Sequence, residues 1–373
     1  MAHTFFDLGL LPTLVATLGE QGKTAPTEIQ ALAIPLLMAG RSVVGVAETG
    51  SGKTLAYGLP ILHRCKALET DGDPVTAEGQ PRAVILVPTR ELGEQVARVL
   101  KTLTHTTRVR VRSALGGTTS EVARRNVSGA FEVLVATPGR LLKLLEAERV
   151  RLGDVRLLVL DEVDQMLDLG FQPDVTRIVA AAPETRQLAL FSATVSPKVE
   201  GLIGRLYGPE PRILRTRGSH RLVASLTTSN RTVVDGDRWT QLVAVLAEEA
   251  PGGTLLFANT REQCDRLAGQ LTSAGYRFVV YRGEMDRVAR RANLEAFRKG
   301  EVALLLTTDL GSRGLDLPQV GRVINVHLCT DLQNYLHRAG RTARAGRPGL
   351  VVNLVTERDR PLLAQVAQVG SGG

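Results

Sequence analysis

Only 4% of the 373 residues are aromatic, so the chain has few of the rings on which single-strand binders stack bases. Cysteine is scarcer still. Cys65, Cys264 and Cys329 are far apart and odd in number, which argues against a disulfide framework or a zinc site and predicts a reducing compartment, the cytoplasm. No apolar run reaches the roughly 18 residues of a membrane span, and residues 1–18 lack the charged start and apolar core of an export signal. No membrane partner is therefore expected. Repeats with periods of about 20 to 50 residues are also missing, which excludes a solenoid.

What is present is ordinary globular composition with a basic bias. Hydrophobic residues make up 43% and charged residues 23%, and 46 Lys and Arg against 38 Asp and Glu give a net charge of +8. With a pI near 9.7, a nucleic-acid partner is compatible but not required. The length suits two domains better than one.

Short apolar, β-branched runs recur with helix-like stretches between them: 42–46, 83–87, 110–115, 133–136, 157–160 and 187–191, then a second series at 254–258, 277–281, 302–307, 322–326 and 350–355. This alternation predicts an α/β fold with two parallel-sheet domains in tandem. Residues 207–223, rich in Gly, Pro and Arg, carry no periodicity. The expected organisation is an N-terminal domain over 1–207, a linker over 208–223, a C-terminal domain over 224–368 and a flexible tail over 369–373. Residues 70–81 read as a surface loop.

Two motifs carry chemistry. Ala47-Glu48-Thr49-Gly50-Ser51-Gly52-Lys53-Thr54 follows a predicted strand and precedes a predicted helix, the context of a phosphate-binding loop, with Ala47 where the first glycine usually stands. Glycines let backbone N–H groups turn towards phosphate oxygens, Lys53 adds a cation, and Thr54 offers a hydroxyl to Mg²⁺. Leu157–Leu160 then delivers Asp161 and Glu162 at the end of a buried strand. Asp161 suits Mg²⁺, through water, and Glu162 suits orientation or deprotonation of an attacking water.

These two motifs stand among others in a fixed order. They are Pro26-Thr27-Glu28-Ile29-Gln30, Pro88-Thr89-Arg90-Glu91-Leu92, Thr137-Pro138-Gly139-Arg140, Asp161-Glu162-Val163-Asp164, Ser192-Ala193-Thr194, Thr308-Asp309 with Arg313-Gly314-Leu315-Asp316, and Tyr335-Leu336-His337-Arg338-Ala339-Gly340-Arg341-Thr342. In content and order the chain resembles the DEAD-box RNA helicases of superfamily 2 from residue 5 to about 360. The resemblance implies two RecA-like domains with a cleft between them, ATP and Mg²⁺ as cofactors, and RNA as partner. It implies an RNA-stimulated ATPase that locally separates short duplexes or remodels RNA–protein complexes. An ATP-gated RNA clamp with little strand separation is the alternative.

The resemblance also implies individual roles. Gln30 would read the adenine edge, with Phe5 or Phe6 near the base and Thr27 fixing the loop. The nucleotide would further meet Thr49, Gly50, Ser51, Gly52, Lys53, Thr54 and Asp316. Arg338 and Arg341 would reach the γ-phosphate, a contribution of ~10³ to 10⁵ in rate. Asp164, Ser192, Thr194 and His337 would be coupling residues, with Ser192 and Thr194 bonding Asp164 to link the nucleotide site to closure of the two domains. RNA would lie along Pro88, Thr89, Arg90, Glu91, Gly116, Gly117, Thr137, Pro138, Gly139 and Arg140, and along Thr260, Gly283 and Thr308. These groups suit phosphate and ribose more than base edges, so binding is expected to be independent of sequence. Departures from the family pattern fall at Lys23, where many members carry an aromatic residue, and at Val163, Arg282, Arg287 and Ala343. Val163 places a β-branched side chain between two functional acids and could crowd Asp164. Protein partners are not legible, and a monomer is the default.

Overall fold

A computed structural model of the chain describes residues 4–370 apart from 49, 208–211, 217–224, 284, 313–316, 318 and 344–346. The chain divides into two compact units, Met1–Ser219 and His220–Gly373.

In the first unit seven strands form one parallel sheet: β1 Val43–Val46, β2 Ala83–Leu86, β3 Val111–Ala114, β4 Val133–Ala136, β5 Leu157–Leu160, β6 Gln187–Ser192 and β7 Ile213–Arg215. Their order across the sheet is β3-β4-β2-β5-β6-β1-β7. The central strands read V-V-G-V, A-V-I-L, V-L-V-A and L-L-V-L because both sheet faces are covered. Successive residues feed opposite cores. Val43, Ile85, Val135 and Val159 pack with the helices Lys53–Thr70 and Arg90–Thr107, whereas Val44, Val84, Leu134 and Leu158 pack with the helices Pro138–Glu146 and Gln172–Ala181.

The second unit has a six-stranded parallel sheet: β8 Leu226–Thr232, β9 Gly253–Ala258, β10 Phe278–Tyr281, β11 Leu304–Thr308, β12 Val320–Asn325 and β13 Gly349–Val355, in the order β10-β11-β9-β12-β13-β8. Its helices again cover both faces. Phe257 and Val323 belong to one core, Leu256 and Ile324 to the other.

The parallel α/β reading of the sequence holds in both units, and two strands add to it. β7 lies inside the segment read as linker, where it pairs with β1 through Val44↔Ile213 to Val46↔Arg215. β8, L-T-T-S-N-R-T, carries no apolar alternation, yet it pairs with β13 over seven residues from Leu226 to Thr232. Both are edge strands, and in β8 the β-branched threonines suit the pleat. The loop after the helix Lys53–Thr70 is fastened. Buried Arg82 donates to Asp73 Oδ1 at 2.5 Å and to Asp154 Oδ1 at 2.7 Å, and Arg110 donates to the Val75 carbonyl at 2.9 Å.

All three cysteines are buried thiols without a disulfide. Burial pushes Cys65 and Cys329 up to about 12 and Cys264 up to about 11, which keeps them protonated and unreactive. Among the described residues no helix is long and apolar enough to cross a membrane.

Candidate active site

Because every strand of the first sheet runs the same way, the loops leaving their carboxyl ends share one rim, the usual ligand-binding rim of such sheets. The strand order sorts these loops. Those after β5, β6 and β1 are neighbours and carry Asp161–Asp164, Ser192–Thr194 and Ala47–Thr54. Those after β3, β4 and β2 are the next neighbours and carry Gly116–Gly117, Thr137–Arg140 and Pro88–Glu91.

In the first group, Gly50 and Gly52 adopt φ of 89° and 94°, conformations open to glycine, and the loop opens the helix Lys53–Thr70. The helix N-terminus directs backbone N–H groups and its positive dipole end at the loop. Lys53 Nζ lies 2.9 Å from Glu162 Oε1 and donates to the Ala47 carbonyl at 2.9 Å. Burial works against this ammonium charge, but Glu162, Asp161 and Asp164 together outweigh it and raise Lys53 above its usual value.

Asp161 is 2% exposed and is pushed up to about 6, first by burial and then by the Glu162 charge, against the pull of Lys53 and Tyr57. Tyr57 Oη donates to Asp161 Oδ2 at 2.7 Å. A carboxylate so placed favours a cation. The donor set is hard oxygen, Asp161 with the Thr54 hydroxyl nearby through Tyr57, and among the described residues no cluster of three metal-binding side chains competes with it. That fits Mg²⁺, which keeps waters and takes one or two protein oxygens beside phosphate. Glu162 caps the helix Val163–Asp168 in the left-handed region, φ 51° and ψ 54°. A non-glycine residue held there stores strain, which is commonest at functional positions.

The acidic motif is wired to the loop after β6. Asp164 Oδ2 accepts from the Thr194 amide at 3.2 Å and its hydroxyl at 2.9 Å, and the Asp164 amide donates to Ser192 Oγ at 3.3 Å. Val163 is fully buried in the core beneath, and these bonds stand intact beside it, so the side chain does not crowd Asp164.

Gln30 sits in a capping box with Thr27. The Thr27 amide donates to Gln30 Oε1 at 2.9 Å, and Gln30 Nε2 donates to the Gly52 carbonyl at 3.0 Å. A Cβ at Gly52 would overlap that amide. One N–H and one lone pair of Gln30 remain for another partner.

The second group of loops is stitched into one surface. Arg90 donates to the Gly117 carbonyl at 3.4 Å, the Gly116 amide donates to Thr137 Oγ1 at 3.0 Å, and Arg140 bonds the Thr118 carbonyl. Thr89 caps the helix Arg90–Thr107. In the second sheet, Gly283 and Thr260 follow β10 and β9, and Thr308 ends β11, three adjacent strands. Thr260 caps the helix Arg261–Ser273.

Arg338, on the helix Leu332–Ala339, is 1% exposed. Its Nε and Nη2 donate to Asp309 at 2.5 and 2.7 Å, Nη2 also to Asn259 at 2.7 Å, and Nη1 to Asn325 at 3.0 Å and the His327 carbonyl at 2.7 Å. The guanidinium centre lies 4.8 Å over the Phe257 ring.

With this geometry in view, the profile of the DEAD/DEAH box helicase family matches residues 27–202, and that of the helicase conserved C-terminal domain matches residues 237–346. The ATP-dependent RNA helicase RhlB of Actinobacillus succinogenes is 36% identical over 360 residues, covering 95% of this chain and 85% of that protein. The chain belongs to the DEAD-box helicase family. The ATP-dependent rRNA helicase rrp3 of Emericella nidulans is 36% identical over 359 residues, 96% of this chain and 75% of that one. Among solved structures, S. cerevisiae Dbp5 bound to RNA and ADP BeF3 matches with a TM-score of 0.86 at 27% identity, covering 99% of this chain and 94% of that chain.

Several expected roles change in this DEAD-box chain. Arg338 does not present a donor to phosphate: all five of its N–H groups are used within the second unit. Arg341 lies beyond that helix, which ends at Ala339. Phe5 is a core residue at 2% exposure, whereas the neighbouring Phe6 is 71% exposed. Pro88 and Pro138 are buried and shape their loops without offering a surface. Thr49 and Asp316 lie outside the described residues. Sequence reasoning missed Tyr57, the hydroxyl that holds Asp161; its place one helical turn after Lys53 was the available signal.

Proposed function

We propose that this chain is an ATP-dependent RNA helicase: it binds ATP with Mg²⁺, hydrolyses it when RNA is bound, and locally separates short duplexes or remodels RNA–protein complexes. The observation that carries this reading is the contiguous cluster of Lys53, Asp161, Glu162, Asp164 and Thr194 beside a glycine loop at a helix N-terminus. The named activities of the family relatives, among them an RNA helicase and an rRNA helicase, point the same way.

In this reading, Lys53 exchanges Glu162 for phosphate oxygens, which frees Glu162 to hold the attacking water. Mg²⁺, held by Thr54 and through water by Asp161, neutralises charge on the phosphates when bound. Gln30 uses its remaining donor and acceptor on the adenine edge. The phosphate-facing cation of the second unit is Arg341. Asp164 passes the state of the nucleotide to Ser192 and Thr194. RNA lies against the stitched loops of the first unit and against Thr260, Gly283 and Thr308 of the second, through its backbone. The reducing cytoplasm suits the three buried thiols.

At roughly 1.4 kcal/mol per stacked step, opening three or four steps requires about 4 to 6 kcal/mol, within reach of a clamp that bends one segment. Displacement should therefore fall as duplexes lengthen from about 10 to 40 base pairs. The direct test is ATP hydrolysis with and without RNA in the unaltered chain and in Glu162→Gln. RNA stimulation in the first and its loss in the second, with nucleotide still bound, supports the reading. Hydrolysis indifferent to RNA contradicts it, and ATP-dependent RNA retention without displacement would make the chain a clamp.

A further inference from the structure

A buried ladder of asparagines crosses three strands of the second sheet. Asn325 on β12, Asn353 on β13 and Asn230 on β8 are register partners, so their side chains share one face. Asn325 Nδ2 donates to Asn353 Oδ1 at 2.8 Å, and Asn353 Nδ2 donates to Asn230 Oδ1 at 2.8 Å and to Tyr335 Oη at 3.2 Å. At the inner end Arg338 donates to Asn325 Oδ1 at 3.0 Å. Asn325 and Asn353 are fully buried, while Asn230 opens to solvent. Each buried amide accepts on the Arg338 side and donates towards the edge strand, and bonds aligned in this way polarise one another.

Amides set among Phe257, Val323, Val351 and Val355 are costly unless fully bonded, and apolar residues would fill the same core at no such cost. What the ladder holds explains its form. Tyr335 and Arg338 stand three residues apart on one helix, so the ladder grips that helix twice. Arg338 clasps Asp309, the residue after Thr308, and its carbonyl accepts from the Arg341 amide at 3.0 Å. Arg338 therefore joins the loop after β11 to the segment that carries Arg341, and the ladder fixes the plane of its guanidinium.

We infer that Asn325 and Asn353 are positioning residues that make hydrolysis respond to RNA: they stiffen the Asp309–Arg338 link, so that RNA at the Thr308 loop sets the placement of Arg341. This inference rests on the function proposed above. It assigns the ladder no contact with ATP or RNA, so its loss acts on turnover and not on binding.

The test is Asn353→Leu, close in volume, which removes the middle rung. RNA-stimulated kcat should fall about tenfold, with KM for ATP and for RNA, and the rate without RNA, held within about twofold. Asn353→Asp is the rescue. Its buried carboxyl keeps its proton, accepts from Asn325 and donates to Asn230, so kcat should recover at low pH and fall again as that carboxyl ionises, a profile the unaltered chain does not share. Fluorescence of Trp239, the one tryptophan, reports the folded fraction of the second unit. An unchanged RNA-stimulated kcat in folded Asn353→Leu would overturn the inference, as would a kcat that falls only in step with the folded fraction. If the unaltered chain shows no RNA-stimulated hydrolysis, the proposed function fails first and this inference with it.

Discussion

Replacing Arg338 separates two roles for an arginine beside a phosphate site. Its five donors meet Asp309, Asn259, Asn325 and the His327 carbonyl, all within the second unit. Arg338→Leu leaves the Asp309 charge, the buried Asn325 and two half-buried acceptors without their donor, a loss of about 3 to 5 kcal/mol, the order of a broken buried pair. Arg338→Lys keeps one contact to Asp309 but cannot span the remaining acceptors, because a lysine ammonium is a point and not a fork. About half that loss is expected. With roughly 2 to 4 °C per kcal/mol for a domain of this size, Arg338→Leu should lower the midpoint of the second unit by roughly 6 to 20 °C. Trp239, on the helix Arg238–Ala247 and 6.4 Å from the Tyr276 ring, follows that unit, and calorimetry follows both. Only the transition reported by Trp239 should move. Were Arg338→Lys to abolish hydrolysis both with and without RNA and to weaken ATP binding, with that transition unmoved, the arginine would be a phosphate ligand and the structural argument would be wrong.

Other expectations follow from the same geometry. His327 is pushed down to about 4, by burial first and then by Arg238 and Arg338. Its folded value lies below its unfolded one, so the second unit should lose stability as pH falls from about 6.5 towards 4, and His327→Gln should flatten that loss in acid titrations of Trp239 fluorescence. Gly52→Ala should abolish nucleotide binding, read with a fluorescent ATP analogue, because its Cβ meets the Gln30 amide at a φ of 94°; retained affinity would show the loop to be more pliant. Thr194→Val removes the hydroxyl bond to Asp164 and should reduce duplex displacement more than ATP hydrolysis; equal losses would count against the coupling role. Val163→Ala should cost about 2 kcal/mol of stability in the first unit with RNA-stimulated ATPase unchanged, and a several-fold rise in kcat would revive the crowding idea.

The legible part of the site was the part whose chemistry is contiguous in sequence. The phosphate loop and the acids after β5 each sit between a strand and a helix, so local pattern was enough to place them on one rim. Parallel strands also announced themselves, since Leu157–Leu160 is apolar on both faces. Arg338 shows where such reading ends. Two arginines three residues apart do not reveal that the helix stops between them, and its acceptors come from the separate segments around Asn259, Asp309 and Asn325–His327. Phe5 and Phe6 are indistinguishable by type; only packing against the first core buries one ring and leaves the other open. β8 was invisible for the opposite reason, as its polar residues satisfy an edge and carry no periodic signal.

The shared rim of the first sheet leaves the opposite rim with a separate task. There Arg82, Asp73, Asp154 and the fastened loop after Thr70 hold the sheet from below, with no member in the nucleotide or RNA loops. That division makes the molecule modular in a practical sense: an affinity tag or reporter spliced at Thr76–Ala77, exposed between the Val75 and Glu78 tethers, reaches the surface without a path to the chemistry, whereas an insertion of any length after β2 or β4 enters the working face.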